Sequence, residues 1–109
     1  MVQEREKQMQ EGFDARKGSS LLDSIPTYPS YIKGRDLAGI VGLTSTAEVR
    51  QHINALRTAG FPILSTNEGY SMATDSQQIE KCIRSLRSRV ASIEGAIAGL
   101  YRSFGNVEH

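Results

Sequence analysis

The chain is short of cysteine, of long apolar runs and of charge excess, and each shortage excludes a class of protein. Cys82 is the only cysteine among 109 residues, so no internal disulfide can form and a reducing cytoplasm is the expected compartment. No run of 18 apolar residues exists, which leaves nothing to read as a membrane span. The first twelve residues, MVQEREKQMQEG, are charged and have no apolar core, so they are not read as a secretory signal. The formal net charge is only +1, so any nucleic-acid role must rest on local arrangement rather than on overall charge.

Catalytic groupings are missing as well. No paired carboxylates stand out, no nucleophile has a plausible base beside it, and no glycine loop suited to phosphate is present. Cys82, His52 and His109 lie too far apart in the chain to read as a zinc site. The expectation is therefore no enzyme, no metal, no cofactor and no evident small-molecule ligand. What remains is 39% apolar residues, enough for one small core.

Residues 1–20 mix both charge signs without a helical or strand period and end in Lys17-Gly18-Ser19-Ser20, a turn composition. They read as a disordered arm, with a short frayed helix as the alternative. Leu21, Leu22 and Ile25 make one apolar turn before Pro26 and Pro29 stop any helix. Tyr31-Ile32-Lys33 reads as an extended piece, Asp36–Val41 as a short helix ended by Gly42, and Leu43 as an apolar anchor. Thr44 or Ser45 can cap the next helix, with Glu48 at capping-box spacing from Ser45. That helix runs to about Ala59, and Val49, Ile53 and Leu56 form one apolar face, expected to dock on Leu37, Ile40 and Leu43. Two short strands, Phe61–Ser65 and Tyr70–Ala73, flank the tight turn Thr66-Asn67-Glu68-Gly69.

Extended piece, helix, turn, helix, hairpin is the order of a winged helix-turn-helix over residues 21–74. A helix with its side chains is about 10–12 Å across and fits the major groove of B-DNA. The exposed face of the second helix carries Gln51 and Asn54, with Ser45, Thr46 and Arg50 beside it. Arg can read guanine, and Gln or Asn adenine, each through two hydrogen bonds. Ser65, Thr66 and Asn67 at the hairpin tip would meet the backbone or the minor groove. Beside this reading stand plainer ones. A polar helix face is usually solvated, Arg57 can pair with Glu48 or Asp36 instead of phosphate, His52 reads as a surface residue, and Tyr70 as packing for the wing.

At these residues the chain resembles the winged helix of the biotin operon repressor family. The likeness lies in Leu37-Ala38, in Gly42-Leu43, in Ile53-Asn54-Ala55-Leu56-Arg57-Thr58-Ala59-Gly60, in the strand Phe61–Leu64, and in Gly69-Tyr70-Ser71. It implies DNA binding through the second helix and the wing. The chain departs from the family at Pro26 and Pro29, where the family's first helix would lie. The resemblance does not reach the ligase domain, and no biotin chemistry carries over.

The remaining segment is periodic. Asp75 or Ser76 can cap a helix from Gln77 to about Phe104, leaving 105–109 as a tail. Ile79, Ile83, Leu86, Val90, Ile93, Ile97, Leu100 and Phe104 alternate at spacings of 4 and 3, an unbroken heptad pattern. Positions a hold Ile83, Val90, Ile97 and Phe104; positions d hold Ile79, Leu86, Ile93 and Leu100. Branched residues at a lean toward a two-stranded parallel coil, in which Arg89 at g faces Glu94 at e of the partner. The seam is about 38 Å long, more than a domain of this size covers, so residues 75–104 are expected to dimerise the protein. Folding back on residues 21–32, or a bundle of more chains, would also cover it. Lys81, Arg84, Arg87 and Arg89 are either a solvated face or phosphate contacts, and Cys82 reads as a packed thiol.

The expected fold is thus α+β, mostly α, a winged helix-turn-helix followed by a long heptad helix. The expected function is a homodimeric bacterial or phage transcriptional regulator that binds double-stranded DNA. An adaptor that binds protein, or a phage replication organiser, would use the same fold.

Overall fold

A computed structural model describes residues 13–108, with side chains described as far as Gly105. Its elements run α1 (Ala15–Ser24), α2 (Gly34–Val41), α3 (Thr46–Thr58), β1 (Ile63–Thr66), β2 (Gly69–Met72) and α4 (Ser76–Glu108). The layout is α+β, mostly helical and winged-helix-like, with a long C-terminal helix, as the sequence pattern anticipates.

Residues 15–20 correct the expectation of an arm: they are the start of α1, and residues 1–12 lie outside the described part. Asp14 caps this helix, its carboxylate accepting the backbone N–H groups of Arg16 at 2.9 Å and Lys17 at 3.2 Å. Gly18 is no linker here. The Phe13 ring lies so close that a Cβ on Gly18 would stand 2.5 Å from it. Leu21 is fully buried and Ile25 nearly so, which supplies the packing that weak local propensity cannot. Pro26 and Pro29 follow this helix rather than interrupting it. A helix therefore does precede α2, upstream of the two prolines.

Helix α2 ends at Gly42, whose φ of 82° lets its N–H and that of Leu43 both reach Ala38 O at 2.9 Å. Its buried face is Leu37 and Ala38, with Val41 packed against the core. Ile40, expected to meet α3, is instead 63% exposed. Leu37 can share a helix face with either Ile40 or Val41, and the packing takes Val41. Ser45 caps α3, accepting the Glu48 N–H at 3.2 Å, while the Glu48 carboxylate accepts the Thr44 hydroxyl. Val49, Ile53 and Leu56 are buried against Leu21, Leu37, Leu43 and Ile63, and each such side chain contributes roughly 1.5–3 kcal/mol.

The hairpin pairs Ile63 with Met72 through to Thr66 with Gly69. A third segment lines its outer edge. Ile32 and Tyr70 exchange backbone hydrogen bonds at 2.9 and 2.8 Å, and Met72 N–H donates to Pro26 O at 2.7 Å. Gly69, at φ 126°, lies against the Ile32 carbonyl, where no Cβ fits.

Asp75 starts α4 by accepting the Gln78 N–H at 3.0 Å, and the Gln78 amide oxygen accepts the Thr74 N–H at 2.7 Å. The helix passes the expected stop at Phe104 and continues to Glu108, so most of the supposed tail is helical. Among the described residues, no helix is long and apolar enough to cross a membrane.

Candidate nucleic-acid interface

Three elements converge on one open cleft of about 500 Å³. Helix α3 supplies Thr46, Arg50, Asn54 and Arg57; the wing supplies Ser65, Thr66, Asn67 and Tyr70; α4 supplies Ser85, Leu86 and Arg89, and Lys33 stands at the mouth. Four of these side chains are cationic, Lys33, Arg50, Arg57 and Arg89, and among the described residues none that lines the cleft is acidic. A chain whose overall charge is +1 therefore concentrates positive charge at one concave surface. Between the cations stand hydroxyls and amides, which suit phosphate oxygens and base edges.

Six of the eight residues read from the sequence as DNA contacts line this cleft: Thr46, Arg50, Asn54, Ser65, Thr66 and Asn67. Ser45 and Gln51 do not. Ser45 is occupied as the α3 cap, and Gln51 is exposed on α3 but points outside the cleft lining. Lys33 and Arg89, which the helix-turn-helix pattern does not mark as contacts, line the cleft as well, and Arg89 belongs to the basic run at the start of α4.

Arg57 takes neither of its expected partners, Glu48 or Asp36. Its Nε donates to Ile63 O at 2.9 Å and its Nη2 to Ser65 Oγ at 3.0 Å, with Cys82 Sγ at 3.7 Å from the same nitrogen. One guanidinium thus ties the end of α3 to the wing and the wing to α4. The planar fork suits this, because its donors are held in fixed, divergent directions. Cys82 is half-buried at that junction, as a packed thiol should be.

His52 is 2% exposed, which corrects its reading as a surface residue. Its Nε2 accepts the Asp14 N–H at 3.0 Å, which leaves Nδ1 as the protonated nitrogen, donating to Glu48 O at 2.8 Å. The Phe13 ring stacks on it at a centroid distance of 5.2 Å. His52 therefore fastens the beginning of α1 to the back of α3 and fixes how α3 is presented.

On the far side of the wing, Tyr28 and Tyr31 meet edge to face at 6.2 Å beside a hollow of about 360 Å³ that reaches Lys81 and Cys82. Burial, then Tyr28, then Glu68 raise the Tyr31 phenol above its ordinary value, so it remains a neutral hydrogen-bonding group.

The heptad side chains of α4 face open space. Val90, Ile93, Ile97, Leu100 and Phe104 are between 48% and 71% exposed, and only Ile79 and Leu86, near the wing, are half-covered. Among the described residues, no group of His, Cys, Asp and Glu is placed to hold a metal ion. The chain matches no protein-family model, no curated protein and no solved structure, so its layout and the chemistry of its cleft carry the functional reading.

Proposed function

We propose that the protein is a winged helix DNA-binding regulator, of bacterial or phage type, that works as a homodimer paired through α4. The observation that carries this reading is the cleft, where four cations and a set of hydroxyls and amides stand on α3, the wing and α4 without an acidic side chain among the described residues that line it. Arg50 and Asn54, one turn apart on the exposed side of α3, are the base-reading pair; Lys33 and Arg89 meet phosphate. The resemblance to the biotin operon repressor's winged helix supports the same use of α3 and wing. The heptad seam beyond Leu86, which no described residue covers, supports pairing, since a second chain would bury its apolar side chains.

One observation favours a protein partner instead: residues 21–74 hold four acidic and four basic side chains, a balance unusual for a DNA-binding domain. Fluorescence anisotropy with random-sequence duplex DNA across a salt series separates the two. DNA binding through phosphates weakens steeply and log-linearly with salt. Absence of binding at low salt would reject the DNA reading and leave the adaptor.

A further inference from the structure

We infer that two copies of this chain pair their α4 helices antiparallel, which brings both clefts to one face of the dimer; the inference rests in part on the DNA-binding reading, which favours clefts that share a face. The argument begins with which side of the seam the domain occupies. The wing and the two hollows beside it meet α4 at Gln78, Lys81, Cys82, Ser85, Leu86 and Arg89; four of these six hold c and g heptad positions, with Lys81 at f and Leu86 at d. The domain thus sits on the g flank of the seam, while the e flank, with Arg87 and Glu94, is exposed.

Orientation then decides where the second domain goes. In a parallel pair, g of one helix lies beside e of the other, so the two g flanks are on opposite faces and the clefts point apart. In an antiparallel pair, g lies beside g, and both domains sit on the same face. Only in the second arrangement do both clefts open on the same side of the paired helices, where one duplex lying along them can meet both. The sequence pattern alone leans parallel; the placement of the domain on the g flank argues the reverse.

Side chains support the antiparallel register. The seam layers become Ile83 with the partner's Leu100, Val90 with the partner's Ile93, Ile97 with the partner's Leu86, and Phe104 with the partner's Ile79. The more exposed distal half of each helix covers the half-covered proximal half of the other. On the e flank, Arg87 faces the partner's Glu94, twice by symmetry, so opposite charges meet. On the g flank, the distal half that must slide past the partner's wing carries only Ser92, Ala96, Gly99 and Ser103 at c and g. Bulkier residues there would strike the domain. The two Arg89 residues come to stand about 8 Å apart along the axis, joining the clefts into one basic surface.

The test is a distance between spin labels on the full chain without DNA, so the orientation of α4 is read separately from DNA binding. Arg102, at an outward f position, is replaced by a labelled cysteine (Arg102→Cys) on a Cys82→Ser background. An antiparallel dimer places the labels about 35–40 Å apart, and a parallel one about 20 Å. A distance near 20 Å, or no coupling at tens of micromolar protein, overturns the inference. Charge reversal gives a second readout by sedimentation equilibrium. Arg87→Glu should raise the dimer Kd about tenfold and Arg87→Glu with Glu94→Arg should restore it, because the exposed pair exists only in the antiparallel register. Weakening by Arg89→Glu in place of Arg87→Glu would establish the parallel register and overturn the proposal.

Discussion

Replacing Arg89 by alanine tests the contribution of α4 to the proposed nucleic-acid binding. Arg89 is exposed, lines the cleft, and lies on the g flank away from the seam residues. In each copy Lys33 and Arg89 are the cations proposed to meet one phosphate apiece, since Arg50 reads bases and Arg57 is engaged with Ile63, Ser65 and Cys82. The proposed dimer then neutralises about four phosphates, and the slope of log K against log salt should be about −3.6. Removing Arg89 from both copies takes away two contacts and brings the slope to about −1.8. At about 0.15 M salt the lost counterion release alone weakens binding roughly 30-fold. The loss should be similar for every duplex sequence, because a phosphate contact carries no base information. Thermal stability should hold within about 0.5 kcal/mol, as for other exposed positions. The assay is anisotropy with a labelled duplex from 50 to 300 mM KCl. An unchanged slope would refute the assignment of Arg89 to the interface, whatever happened to affinity at one salt concentration.

Three further outcomes follow from the same structure. Ile93→Asp with Ile97→Asp should yield a monomer by sedimentation equilibrium with the winged domain's melting little changed, because both side chains are exposed within one chain. His52→Ala leaves the Asp14 N–H without its acceptor and a cavity behind Phe13; it should cost roughly 2–4 kcal/mol in urea unfolding and lower Tm by roughly 10–20 °C. The Lys17 N–H holds the Asp14 carboxyl below the usual carboxylate range, with the Arg16 N–H and both side-chain charges adding to this and desolvation opposing it. A lowered folded-state pKa stabilises above the unfolded value, about 3.9, and that stabilisation is lost as pH falls through the folded value. The Tm difference between wild type and Asp14→Asn should therefore be present at pH 6 and vanish toward pH 2–3; a difference that persists in acid would show that the cap's charge contributes nothing.

Much of the architecture is written in local pattern. Ser45 and Glu48 state where α3 begins, Gly42 where α2 ends, and Thr66–Gly69 where the wing turns, because each of these features is decided by residues within a few positions of one another. The 4–3 spacing from Ile79 to Phe104 makes α4 a helix with one apolar seam for the same reason, and Val49, Ile53 and Leu56 announce the buried face of α3. Other features depend on partners distant in the chain. Helix α1 contains Lys17-Gly18-Ser19-Ser20, which forms a helix because Leu21 is buried, Phe13 seals Gly18 and His52 accepts the Asp14 N–H 38 positions away. Gly105 does not end α4, since a lone glycine costs only about 1 kcal/mol against an otherwise continuous helix. Whether Ile40 or Val41 joins Leu37 in the core is a choice between two equally periodic faces, made by the fit of α2 on α3. Arg57 has no sequence neighbour that announces its three partners, which meet only when wing and α4 fold against α3. The sequence by itself thus determined α2, α3, the hairpin and α4, with the apolar faces of α3 and α4, where short-range hydrogen bonding and periodicity are sufficient. Only the tertiary structure decided which flank of α4 the wing covers, which side chains share the cleft, and that His52 is buried, because those depend on contacts between segments far apart in the chain.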